Sequence, residues 1–413
     1  MRFTRFLRNA AVTVAEMAAF TAGKTATRVA GRDVVAIQDT SELVFGGRKA
    51  RANGFGPVGK GGALGGLLLH PVLAVDATTG AVIGLVDCKI WNRDGGQVSP
   101  RRGRATADKE SQRWLDGTAR AGEVLASAAQ ITMVADQESD IYEQFACRPS
   151  NVHLIVRACQ NRRIETHTQD AAPALLLSFV EGLPEQGRFI VNIAAAPGRK
   201  ARTAELAIRF SPVVLRKPLH GVAPDLPKTV ALTLVDVRET SQPQDGDPVH
   251  WRLLTTHAVT NLGEARRIVD LYRMRWTIEE FFRTLKTAGF NLEDADIGDP
   301  KPMTNLVAAA TIAAVTVMQL VRAREGTTDQ RLTDAFDPMD QPILEAVSSQ
   351  LEGKTVRQQN PHPKGTLAFA AWVIARLGGW TGYYGKPGPQ VMRRGLADFQ
   401  AIKHGATLRL QNV

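Results

Sequence analysis

Cysteine is scarce, with three among 413 residues (Cys88, Cys147, Cys159) and none in a CxxC pair. That excludes a disulfide framework and a thiolate zinc site, and it suits a reducing cytoplasm. Long hydrophobic runs are also missing. The best candidate, residues 306–321, is 16 residues long and carries Thr311, Thr316 and Gln319, so it reads as a buried helix rather than a bilayer crossing. Arg2, Arg5 and Arg8 ahead of an Ala/Val-rich stretch imitate a secretion signal, but Glu16 interrupts the apolar part. Internal repeats and low-complexity tracts are absent. Acid is in deficit, since 41 Asp and Glu face 51 Lys and Arg, giving +10 and a pI near 9.7. Such a surplus favours a polyanionic partner, nucleic acid before membrane. What remains is ordinary globular composition, 44% apolar and 22% charged, over a length that suits two or three domains.

Residues 1–32 hold six basic side chains against one acid, Glu16, and read as a helical lead-in. Residues 34–38 (VVAIQ) form a short apolar strand running into Asp39-Thr40-Ser41. The Gly-rich, basic stretch 46–66 has no period and reads as a loop. Strands follow at 67–75 and 82–91, joined through a Gly80 turn that supports a hairpin. A basic loop (Arg101, Arg102, Arg104) leads to a helix over 107–126, and the apolar strand 131–135 stops at Asp136. From 151 to 256 the chain turns to short alternating or β-branched runs between Pro/Gly turns, a β-rich insertion between two α/β halves. Asn261 caps a helix with Glu264 three residues on. Beyond Asp299 the pattern is helix and loop, ending near 368–377 and 392–402. The divisions expected are 1–32, a remnant of an N-terminal region; 33–150 and 257–325, two parts of one core; 151–256, the insertion; and 326–413, a helical C-terminal region.

The helix predicted around 266–286 carries the best chemical clue. At about 100° per residue, Tyr272, Arg275, Glu279 and Lys286 share a stripe about 60° wide. Leu271, Met274, Ile278, Phe281, Phe282 and Leu285 fill the neighbouring apolar arc, which puts the four polar groups at the rim of the core. A carboxylate between two cations and a phenol suits a metal-and-phosphate site. The same spacing also suits a solvated face with salt bridges. Asp39 and Asp136 each follow an apolar strand, and adjacent strands would bring their ends together. With Glu279 they make three hard oxygen ligands, the set that Mg²⁺ or Mn²⁺ prefers. Alone, Asp39 reads as a turn former and Asp136 as a helix N-cap; the combination with the striped helix favours the metal reading.

The interval Tyr272-x2-Arg275-x3-Glu279-x6-Lys286 resembles the Y-R-E-K signature of DDE transposases of the insertion-sequence-four family. VVAIQ followed by Asp39-Thr40 is similar to that family's first-aspartate strand, and Asp136 in VADQESDIYEQF to its second. Residues 108–111 (DKES) with Trp114 resemble the helix between them, and 374–379 (IARLGG) the C-terminal helical region. The likeness runs from about Phe6 to about Ala401. It implies an α/β fold with a ribonuclease-H-like mixed sheet and flanking helices, interrupted by a β-rich insertion, plus a helical C-terminal region. It also implies cut-and-paste chemistry on double-stranded DNA, at transposon ends and target, through a hairpin intermediate. Asp39, Asp136 and Glu279 would hold two Mg²⁺ ions, with Mn²⁺ able to substitute. Tyr272, Arg275 and Lys286 would grip phosphates near the cleaved end, and Trp251, 28 residues before Glu279, would stack on a flipped base.

Arg157 matches a basic insertion residue near the DNA, with a strand-end charge as the plain alternative; Trp251 has the alternative of a core aromatic. Arg162, Arg163, Arg199, Lys200 and Arg202 make the insertion basic, as a backbone-tracking surface would be. His153, His250 and His257 lack metal-ligand spacing and read as structural. A homodimer in a synaptic complex, no membrane, and a cytoplasmic, nucleoid-associated location complete the expectation. Only 38 residues precede Asp39, where the family normally has a DNA-binding domain, and Arg5–Ala30 resembles just the tail of that region. A truncated or mis-started copy is therefore expected, with the catalytic positions complete and end recognition incomplete. The rival readings are a catalytically idle DNA-binding remnant and a stand-alone nuclease of the same core.

Overall fold

The computed structural model describes residues 2–46, 50, 52–93, 109–165, 174–193, 200–244 and 246–411. Two helices lead in, α1 (Arg2–Arg8) and α2 (Val14–Arg28). The strands β1 (Asp33–Gln38), β2 (Ser41–Val44), β3 (Gly56–Val58), β4 (Leu64–Asp76) and β5 (Val82–Trp91) follow. Then come α3 (Gln112–Val124), β6 (Gln130–Ala135), α4 (Tyr142–Ala146) and β7 (Val152–Arg157). Next are β8 (Arg163–Ile164), β9 (Ala174–Leu175), α5 (Leu176–Glu181), β10 (Gly187–Ile193), β11 (Arg202–Arg216), β12 (Thr229–Glu239) and β13 (His250–Thr255). The rest is helical: α6 (Leu262–Arg273), α7 (Trp276–Arg283), α8 (Pro300–Ala323), α9 (Gln341–Leu351), α10 (Leu367–Leu377) and α11 (Pro389–Gln411).

All thirteen described strands join one mixed sheet. Its order is β2-β4-β1-β6-β7-β13-β12-β11-β8-β9, with β3 and β5 on β4 and β10 on β11. β1, β6 and β7 run parallel to one another, while β4 and β13 close that trio in antiparallel sense. Both faces of the trio are covered, which is why its strands read as unbroken apolar runs. Val35 and Ile37 point to the core shared with α6, α7 and α8, whereas Val34 and Ala36 point to the core shared with α3. A third apolar cluster joins the end of α8 to α9, α10 and α11. This is the mixed α/β architecture expected of a ribonuclease-H-like core.

The hairpin of β4 and β5 forms as read, with Asp76 Oδ1 accepting from Thr78 and Thr79 N–H and Gly80 at φ 71°. Asn261 Oδ1 accepts from Glu264 N at 3.0 Å, and the Glu264 carboxylate returns a bond to Thr260 N. Two readings need correction. The stretch 46–66 contains β3 and the start of β4, which a period-two search misses because glycines break the pattern. Residues 266–286 are also not one straight helix. Bonds from Arg275 N to Tyr272 O and from Ile278 N to Arg275 O tighten the step between α6 and α7, and residues 284–288 widen into a π-turn. By length and composition α8 could cross a bilayer, but Gln319 Nε2 bonds to Val82 O, Ile83 O and Asp334 O, and the helix is mostly buried in the fold.

Candidate active site

Asp39 and Asp136 stand one residue past the ends of β1 and β6. The register Ile37↔Val134 runs toward both, so they emerge side by side from neighbouring parallel strands, about 4.8 Å apart in the pairing direction. Asp39 also marks a gap along β4, between the stretch that pairs with β1 and the stretch that pairs with β2. Pro71 lies opposite it there and has no N–H to give a ladder. The chain therefore leaves the sheet at Asp39 and returns at Ser41. Burial, with the charge of Asp136 next, pushes the Asp39 carboxyl up to about 7.

The third carboxylate arrives on α7. Arg275, in the tight step before that helix, donates from Nη1 to Asp39 Oδ2 at 3.3 Å and from Nη2 to Glu279 Oε1 at 2.5 Å. One guanidinium thus ties Glu279 to the sheet end. Its Nε is buried and has no hydrogen-bond partner among the described residues. Tyr272 is 3% exposed and faces Arg275, and burial raises its hydroxyl pKa. The ring of Trp251, on β13, meets Tyr272 edge-on at 5.8 Å. Arg157 closes β7 beside them, donating from Nη2 to His250 O at 3.2 Å. Tyr272, Arg275, Glu279, Trp251 and Arg157 therefore sit around one end of the sheet with Asp39 and Asp136.

Lys286 is turned elsewhere. The π-turn directs it to Glu293, 3.7 Å away, whose Oε1 caps Val44 N on β2. Among the described residues no three His, Cys, Asp or Glu side chains are close enough to ligate one ion, since Arg275 stands between Asp39 and Glu279. The donor chemistry nevertheless fits divalent ions. Asp39, Asp136, Glu138 and Glu279 supply hard oxygen donors at the sheet end, and burial, with the charge of Asp136 next, raises Asp39 there. Of the basic insertion residues, Arg162 is committed to the buried Asp140 at 2.7 Å and Arg202 to Glu239, so neither is a free backbone contact. Arg163 and Lys200 are exposed; Arg199, Arg101, Arg102, Arg104 and Asp108 lie outside the described residues. His153 and His257 stack ring on ring at 4.1 Å, and His250 bonds Asp236 at 2.9 Å.

Sequence reading missed the support beneath Asp39. Gln38, fully buried, reaches His70 Nε2 with its Oε1 and donates to Trp114 O and Thr118 Oγ1. His70 Nδ1 is 2.9 Å from Thr40 Oγ1, which also accepts from Arg113 Nε at 2.7 Å. It also missed Trp276, which is 48% exposed beside the site with Arg275 packed on its ring at 5.3 Å. A buried polar residue inside an apolar strand, as Gln38 is, was the only available signal.

A ribonuclease-H-like mixed sheet with flanking helices is the architecture of a polynucleotide-processing class of protein. Residues 68–315 match the family model described as transposase DDE domain, and the chain belongs to that family. The matched residues include Asp136 and Glu279; Asp39 precedes them and joins them through the β1–β6 pairing. Transposase chemistry on DNA, with the divalent metal ions typical of such domains, follows as the general function.

Proposed function

We propose that this chain is a cut-and-paste transposase of the insertion-sequence-four type, acting on transposon ends and target DNA through a hairpin intermediate. The observation that supports the reading is Arg275, which pairs with both Asp39 and Glu279 at the sheet end where Asp136 follows the neighbouring strand. Asp39, Asp136 and Glu279 would hold two divalent ions, Mg²⁺ or Mn²⁺, whose chemistry is to activate an attacking oxygen and stabilise the departing one. The rest of the work falls to the chain's own groups. Arg275 pairs with two carboxylates through Nη1 and Nη2, and a phosphate oxygen would take the place of a carboxylate that turns to a metal ion. Tyr272 and Arg157 flank Arg275, and Lys286 would have to leave Glu293 to reach a phosphate. Trp251 offers a π-face that would compensate a flipped base for about 1–3 kcal/mol of lost stacking.

The segment 151–256 would act as an insertion that carries Trp251 and Arg157 to the catalytic sheet. Residues 326–413 would supply contacts within a dimer that holds two ends. Supercoiled plasmid incubated with Mg²⁺ tests the chemistry. Wild-type protein is expected to nick it and Glu279→Gln to leave it intact. Equal absence of cleavage in both supports an idle DNA-binding chain, and cleavage without strand-transfer products supports a stand-alone nuclease. For the hairpin step, Trp251→Ala is expected to slow hairpin formation more than first-strand nicking in a gel assay on an end-bearing fragment. Equal slowing of both steps would remove the stacking role.

A further inference from the structure

The two aspartates share a second pattern, and the inference drawn from it rests on reading them as metal ligands. Asp39 Oδ1 accepts from the backbone N–H of Thr40 at 2.7 Å, and Asp136 Oδ1 accepts from the backbone N–H of Glu138 at 2.9 Å. The side chains of those two backbone donors converge on a single residue. Arg113, in the first turn of α3, donates from Nε to Thr40 Oγ1 at 2.7 Å and from Nη2 to Glu138 Oε2 at 2.8 Å. Its Nη1 donates to Glu110 O at 2.8 Å, so all three nitrogens are engaged. The guanidinium also lies over the Trp114 ring at 5.1 Å and is only 10% exposed, which holds it in one place.

The bonds beyond Thr40 have a fixed direction. Gln38 Oε1 can only accept from His70 Nε2–H, so in a neutral imidazole Nδ1 is the acceptor and takes the Thr40 hydroxyl proton. His70 then donates from Nε2 to Gln38 Oε1, and Gln38 Nε2 donates to Trp114 O and Thr118 Oγ1. That sequence requires a neutral imidazole, and burial, with Arg113 and Lys89, holds the His70 pKa down to about 3. Like charges on adjacent strand ends repel, and loops free to relax would splay them apart.

We propose that Arg113 is a positioning residue that clamps the Asp39 loop to the Asp136 loop through Thr40 and Glu138, fixing the separation of the two carboxylates for a divalent cation pair. Outer partners of metal ligands typically govern affinity by roughly ten- to a hundredfold. The test is a Mn²⁺ titration of the full chain, read by electron paramagnetic resonance of the free ion, with no DNA present. Arg113→Lys and Thr40→Val are expected to weaken Mn²⁺ binding by about tenfold or more. Thr40→Ser, which keeps the hydroxyl, should retain wild-type affinity. Circular dichroism melts check folding, and Glu138→Gln, at a side chain 59% exposed, gives a further variant whose fold does not depend on the bond. Wild-type affinity in folded Thr40→Val and Glu138→Gln, with Asp136→Ala still losing the ion, overturns the clamp alone. Unchanged binding in Asp136→Ala, or none in the wild type, removes the ligand reading and the clamp with it.

Discussion

His257 shows how much a single side chain of this fold can depend on its neighbours. Its ring stacks on His153 and its Nε2 lies 3.0 Å from Thr132 Oγ1. Burial first, then His153, Arg267 and Arg148, hold its pKa down to about 4. Between about pH 6.5 and 4 the unfolded chain therefore binds a proton that the folded chain refuses, so this residue's stabilising contribution is lost as pH falls through that window. The melting temperature of the wild type should decline there, and His257→Gln should flatten part of the decline. An unchanged slope in the variant refutes the assignment. At this scale Asp39, Asp136 and Arg275 were legible because each sits at a fixed offset from an apolar pattern. Arg113, Gln38 and His70 were not, because the partners that give them meaning lie 25 to 80 positions away in sequence and leave no local trace.

Among the elements, the helical pair α10 and α11 depends on two glycines. A Cβ on Gly395 would stand 1.7 Å from Ile374 O, and one on Gly378 would stand 2.1 Å from Val391 O. The backbones pack without side chains between them. Gly395→Ala should therefore destabilise the protein by about 1–3 kcal/mol through overpacking. Gly405→Ala, on the same helix with nothing within 4 Å, should instead gain up to about 1 kcal/mol of helix propensity. Chemical denaturation of both variants checks the pair, and equal effects would mean that the close approach carries no cost. Sequence patterns identified α11 as a helix but gave its glycines no purpose. They also gave β1, β5 and β6 nearly to the residue. They failed at the 274–288 region, where a tightened step and a π-turn re-aim Lys286 while hydrophobic spacing stays helical throughout.

Across the whole molecule, the strand-rich segment 151–256 is built into the same sheet as β1 and β6. β7 pairs with β6 on one side and with β13 on the other, so residues about 100 positions apart lie edge to edge. That continuity was hidden in the sequence, where strands announce their own alternation but not their partners. What the sequence did carry was the overall division of labour: apolar strands ending in acid, a basic total charge, and a helical tail. The pairing order also has a consequence for how the molecule is made. Asp39 leaves the ribosome about 240 residues ahead of Glu279, which at about 5–20 residues per second is a wait of roughly 10–50 seconds. During translation the nascent polypeptide holds Asp39 and Asp136 well before the late helix can dock and bring Arg275 to Asp39.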